Sequence, residues 1–158
     1  MSKPAEVKLP LRKPYFEKFL TGALRLSADR RYALSSTDFL GPMILLSLRT
    51  GKHPRSTFKI NYPHHITIVI QPGGYLWKNG RYLSDDKIVI INNWIWREVY
   101  RSFFLFMDVR AKHDEKQYQE AVDEFMEAYA LSEDDIPKET LVKEYYRYRA
   151  DPYYNIAS

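Results

Sequence analysis

The side chains best suited to metal ligation or proton transfer are His53, His64, His65 and His113. His64 and His65 fall in a stretch with strand character, where neighbours point to opposite faces, so they cannot share one metal, and no carboxylate lies near them in sequence. Two acidic groups, Asp85-Asp86 and Glu133-Asp134-Asp135, have the chemistry to hold Mg²⁺. Each also stands where a helix should begin, and capping the positive end of a helix dipole accounts for both without a metal. The chain has no cysteine, which excludes a thiolate zinc site, a disulfide framework and a cysteine nucleophile. It also has no glycine-rich phosphate loop, nucleophile elbow or metalloprotease helix, so we expect neither an enzyme nor a cofactor site, and no small-molecule substrate is evident.

The other chemistry within reach is recognition of polyanions. Lys138, Lys143, Tyr146, Arg147 and Arg149 interleave cations with an aromatic ring, which suits phosphate contact and stacking. The stretch from Met1 to Ile60 carries 12 Lys and Arg against 4 acids. Arg12, Lys13, Arg30, Arg31 and Arg55 belong to this set, and neutralising phosphates with such a group would release counterions. Residues 61–112 hold 7 cations and 4 acids, whereas 113–158 hold 5 and 12. A basic first part and an acidic last part suit either a nucleic-acid footprint or two surfaces that meet between copies. Tyr75, Trp77 and Tyr82 beside Lys78 and Arg81 could stack on bases, although rings on a small sheet more often close a core. Tyr153 and Tyr154 lie close to the chain end and read as partner-docking residues.

The elements that position these groups follow from periodicity. With 158 residues, 45% hydrophobic and 15% aromatic, the chain has enough apolar surface for a single domain over 1–158, and it is not a disordered polymer. Apolar spacing predicts a first helix over Leu11 to Tyr32, with Pro14 in its first turn, and a short apolar helix from Pro42 to Gly51. The period then changes to two. Thr57 to Tyr62 and Ile66 to Ile70 read as strands, and Tyr75 to Leu83 as a hairpin turning at Asn79-Gly80, giving a small central antiparallel sheet over Thr57 to Leu83.

Ser84-Asp85-Asp86 caps a long helix expected to reach about Lys112, although Lys87 to Ile91 taken alone is also compatible with a strand. Two further helices follow, from about Asp114 to Leu131 and from near Pro137 onward. Their length and apolar spacing are those of a helix-turn-helix-like region. The fold class expected is therefore α+β and mostly helical: a basic helical part (1–56), a small β part (57–83) and a helical part (84–158).

No apolar run approaches the roughly 18 residues that span a bilayer, and the N-terminal stretch has no hydrophobic segment of signal-peptide type. We expect a soluble protein without a membrane partner, in the cytoplasm of a bacterial host or in a virion. The setting comes from a resemblance. The stretch from Phe125 to Ile136 (FMEAYALSEDDI), followed by Leu141 to Arg149 (LVKEYYRYR), resembles the C-terminal ending of small uncharacterised proteins of bacteriophages and bacterial mobile elements. Ile91-Asn92-Asn93-Trp94 is similar to part of the same pattern, and the likeness runs from about Ser84 to the end of the chain. It implies a phage or mobile-element setting and brings no catalytic residue. Together these features lead to the expectation of a non-enzymatic DNA-binding protein, a regulator or accessory factor. The alternative is a structural subunit of a virion, connector or other oligomeric assembly, binding itself or other assembly proteins.

Overall fold

The computed structural model describes residues 3–48, 60–72, 80, 82–111, 115–151 and 153–154. The fold is α+β and mostly helical, and it divides into two compact units, Met1–Ile95 and Trp96–Ser158.

The first unit is built on a three-stranded sheet. Strand β1 spans Ala5–Leu11, β2 spans Arg31–Ala33 and β3 spans His64–Ile70, in the order β1-β3-β2. Alternation makes β1 a strand: Ala5, Val7, Leu9 and Leu11 are buried, while Glu6 and Lys8 face solvent. Pro10 is tolerated because β1 lies at the sheet edge, where a ladder donor can be lost. Strand β3 pairs antiparallel with β1, Val7 facing Ile68, and parallel with β2, Tyr32 facing Ile68.

The sheet is therefore mixed, which corrects the antiparallel sheet expected over Thr57 to Leu83. Among the described residues of that stretch, β3 (His64–Ile70) is the strand, and its partners are β1 and β2, both of which precede Leu34 in the chain. Residues 60–63 are not strand, and residues 57–59, 73–79 and 81, with most of the expected hairpin, lie outside the described residues.

Helix α1 covers Pro14–Leu24 and lays Tyr15, Phe16, Phe19 and Leu20 against the buried side of the unit. It stops well short of the expected end at Tyr32, because Arg25 turns left-handed (φ 55°) and the chain enters β2 through a Ser27 turn. Helix α2, Gly41–Ser47, begins where Asp38 Oδ1 accepts the N–H groups of Leu40 (3.0 Å) and Gly41 (2.7 Å). Helix α3, Asp85–Ala111, is helical from its first turn, so the strand alternative for Lys87 to Ile91 does not occur.

Up to Ile95, α3 supplies buried Ile88, Ile91, Asn92 and Ile95. Asn92 joins the elements of this unit. Its Oδ1 accepts the Arg12 N–H at 2.7 Å, and its Nδ2 donates to the carbonyls of Pro10 (2.9 Å) and Ile88 (2.8 Å). A fully buried amide is tolerated only when its polar atoms are satisfied in this way.

The second unit contains the rest of α3 together with α4, Glu115–Ala128, and α5, Lys138–Ala150. Its core is aromatic. The Phe103 ring meets Phe125 edge-on at 5.1 Å and Tyr145 at 6.3 Å, and Phe104 stacks on Tyr148 at 4.4 Å. Helix α4 ends in a Schellman motif: Leu131 N–H bonds to Met126 O, Ala130 N–H bonds to Glu127 O, and Ala130 takes the left-handed conformation (φ 53°). The link 129–137 to α5 is longer than the three or four residues usual in a helix-turn-helix. Among the described residues, no helix is long and apolar enough to cross a membrane.

Candidate nucleic-acid interface

In the first unit, strand pairing assembles a polar row that runs across all three strands. Lys8 of β1 and Arg31 of β2 both stand opposite Thr67 of β3, on the face away from buried Val7, Leu9, Ile66 and Ile68. Exposed His65 lies two positions along β3 on the same face. Lys3, Lys8, Lys13 and Arg25 are exposed, and their side chains make no hydrogen bond or ion pair among the described residues. Arg31 holds Glu6 at 2.5 Å and Asp29 at 3.6 Å, and Arg30 holds Glu17 at 2.8 Å. The two Arg31 pairs are largely exposed and contribute little to stability, whereas Glu17 is partly buried.

Beside the row a cavity of about 510 Å³ opens at β2, lined by Arg25, Arg31, Ser27, Ser35, Asp38 and Gln71 together with apolar side chains. The carboxylate among its described lining residues is already committed, because Tyr32 Oη donates to Asp38 Oδ2 at 2.5 Å while Oδ1 caps α2. Burial first, and then Asp38, push the Tyr32 phenol well above its ordinary range, so it stays a neutral donor. Among its described lining residues Arg25 is the cation without an ion pair, while Arg31 is shared with Glu6 and Asp29 and the Ser27 hydroxyl donates to Asp29.

Arg12 donates its side chain to Asn93 Oδ1 at 2.8 Å and is half-buried, so it ties β1 to α3, whereas Lys13 stands exposed at the start of α1. Arg55 lies outside the described residues. Neither the row nor the cavity was visible in the residue pattern, since both need β1 and β2 on either side of β3. The alternation of Glu6 and Lys8 with Val7, Leu9 and Leu11 was the available signal.

In the second unit, α5 turns Lys143, Tyr146, Arg147 and Arg149 to solvent, but much of this set is engaged by the unit itself. Lys138 Nζ lies 2.5 Å from Asp123, whose hydrogen bond holds the ammonium pKa above its ordinary value. Arg147 donates to Glu144 at 2.7 Å. Arg149 donates to Tyr118 Oη and lies over that ring. The Lys143 side chain makes no such contact among the described residues, and Tyr146 is 45% exposed.

The acids before α5 are engaged locally: Glu133 accepts the Lys138 N–H, and Asp135 accepts from Ser132. Glu133 thus meets the first turn of α5, whereas Asp135 closes the turn that begins at Ser132. Of the two terminal tyrosines, Tyr153 is 90% exposed, while Tyr154 turns inward and donates to Glu144. Asp108 accepts Tyr145 Oη at 2.8 Å and Tyr148 Oη at 3.0 Å, a network that periodicity did not reveal.

The charge divides with the units. Lys and Arg number fifteen against six acids in residues 1–95, and nine against fourteen in 96–158. Compared with protein-family models, curated proteins and solved structures, the chain matches none.

Proposed function

We propose that this chain is a non-enzymatic DNA-binding protein, a regulator or accessory factor in a phage or mobile-element setting, and that it holds the DNA backbone through its first unit. The observation that carries this reading is the Lys8–Thr67–Arg31 row beside the cationic cavity, within a segment whose cations outnumber its acids by nine. Backbone recognition needs several cations spaced along one surface and no sequence-reading element. The sheet face supplies Lys8 and Arg31, the cavity rim supplies Arg25, and Lys13 stands at the start of α1.

The second unit is the weaker candidate for backbone contact. It carries a net excess of five acids, so the field around α5 opposes a phosphate backbone. The phage or mobile-element setting rests on the resemblance of the stretch from about Ser84 onward.

Fluorescence polarisation with a labelled duplex at low salt tests the reading. Lys8→Glu and Arg31→Glu should each weaken binding severalfold, and Lys143→Glu much less. If Lys143→Glu is the damaging change, α5 rather than the sheet holds the DNA. If the wild-type chain does not bind at all, the proposal falls.

A further inference from the structure

The second unit leaves an apolar strip on α3 that its own packing does not use. Leu105 is 53% exposed and Val109, one helical turn on, is 73% exposed. They lie on a different side of the helix from Phe103, which meets Phe125 and Tyr145, and from Phe104, which stacks on Tyr148. The strip is bracketed by opposite charges, Arg101 one turn before Leu105 and Asp108 just short of Val109.

We infer that this strip is a two-fold interface between copies of the chain, with α3 packed antiparallel on its counterpart and Leu105 at the axis. The spacing is self-complementary. When two antiparallel helices cross with Leu105 against Leu105, position 101 of each lies opposite position 109 of the other. The Arg101 stem then covers Val109 of the second copy, and its guanidinium reaches Asp108 there.

Both charged groups are prepared for this contact. Arg101 is 68% exposed and uses one nitrogen on Glu98 at 3.2 Å, which leaves further donors of the guanidinium fork. The Asp108 carboxylate is fixed by the Tyr145 and Tyr148 hydroxyls, one on each oxygen, and each oxygen keeps accepting capacity. A parallel pairing would instead set Arg101 near Arg101 and Asp108 near Asp108, so charge selects the antiparallel form. One exposed helix face falls short of the roughly 800 Å² per partner of a standard interface, so the dimer belongs to the weak class and forms at high protein concentration.

Sedimentation of the full chain over rising concentration, with single-cysteine cross-linking, tests the inference in a chain that has no cysteine of its own. A reversible dimer is expected. Leu105→Asp should abolish it, and Arg101→Asp should weaken it at least fivefold by setting like charges together, both with unchanged circular dichroism because the altered side chains face solvent. Under mild oxidation, Leu105→Cys should form a covalent dimer at least tenfold faster than Leu46→Cys, a position 81% exposed in the first unit. A wild-type chain that stays monomeric at millimolar concentration overturns the inference. So does a dimer that survives Leu105→Asp, or a Leu105→Cys rate no higher than that of Leu46→Cys.

Discussion

Replacing Asn92 with alanine should be among the most damaging single changes in the first unit, although it removes no apolar group. The side chain is fully buried and completes the hydrogen bonding of two backbone groups from a distant part of the chain, the Arg12 N–H and the Pro10 carbonyl. Truncation removes both of these bonds and opens a small void. A buried polar group left unsatisfied costs about 1–3 kcal/mol. The Ile88 carbonyl lies in the same helix and can fall back on it, and half-buried Arg12 can recruit water. We therefore expect a loss of about 2–4 kcal/mol, a fall in Tm of roughly 5–15 °C for a chain of this size.

Asn92→Asp separates the two roles, because it keeps an acceptor for Arg12 but cannot donate to Pro10 or Ile88 when ionised. It should be at least as harmful at neutral pH and partly recover as the carboxyl is protonated in acid. Urea unfolding gives the free energies, and amide exchange at Arg12 reports the local bond. A loss below about 0.5 kcal/mol for Asn92→Ala, with Arg12 exchange unchanged, would refute the reasoning that this amide joins β1 to α3.

Other expectations follow from single positions. A Cβ at Gly41 would collide with the Ser35 carbonyl oxygen and crowd the Tyr32 hydroxyl, so Gly41→Ala should destabilise by about 1–3 kcal/mol or more, read from the urea midpoint. Ala130 occupies the left-handed position that ends α4, where glycine is unstrained; Ala130→Gly should raise stability by up to about 1 kcal/mol in the same assay. Burial first, then the charges of Glu144 and Tyr154, push the Tyr100 phenol from 10.0 up to about 12. Its folded pKa is raised, so this contribution to stability is intact below pH 10 and is lost as pH climbs toward 12. Glu144→Gln should bring the phenol partly back toward 10, as followed by ultraviolet titration of the tyrosines.

Much of the helical framework was legible because its ends are written locally. Pro42, Ser84-Asp85-Asp86 and Pro137 mark the starts of α2, α3 and α5 closely, and apolar spacing carries α3 and α4 close to their ends. The sheet was less legible. Pro10 and the lack of a β-branched run obscure β1, which is tolerated as an edge strand because of its neighbour, and the short β2 draws its strand character from pairing with β3. The early end of α1 depends on an arginine in a conformation usually left to glycine, which spacing does not encode. The charge imbalance could be read by counting. The row Lys8–Thr67–Arg31 could not, because it exists only once three distant segments lie side by side. The partners of Lys138, Arg147 and Arg149 were hidden in part for the same reason, since Asp123 and Tyr118 lie on another helix.

The most direct test of backbone binding by the first unit is the salt dependence of duplex affinity, measured by polarisation for the wild-type chain and for Lys8→Glu. If Lys8, Arg25 and Arg31 each neutralise one phosphate, the logarithm of the association constant should fall against the logarithm of salt with a slope of about −2.7, and Lys8→Glu should flatten it by about one. A wild-type slope near zero, or a slope that Lys8→Glu leaves unchanged, would contradict the assignment of the sheet face to DNA.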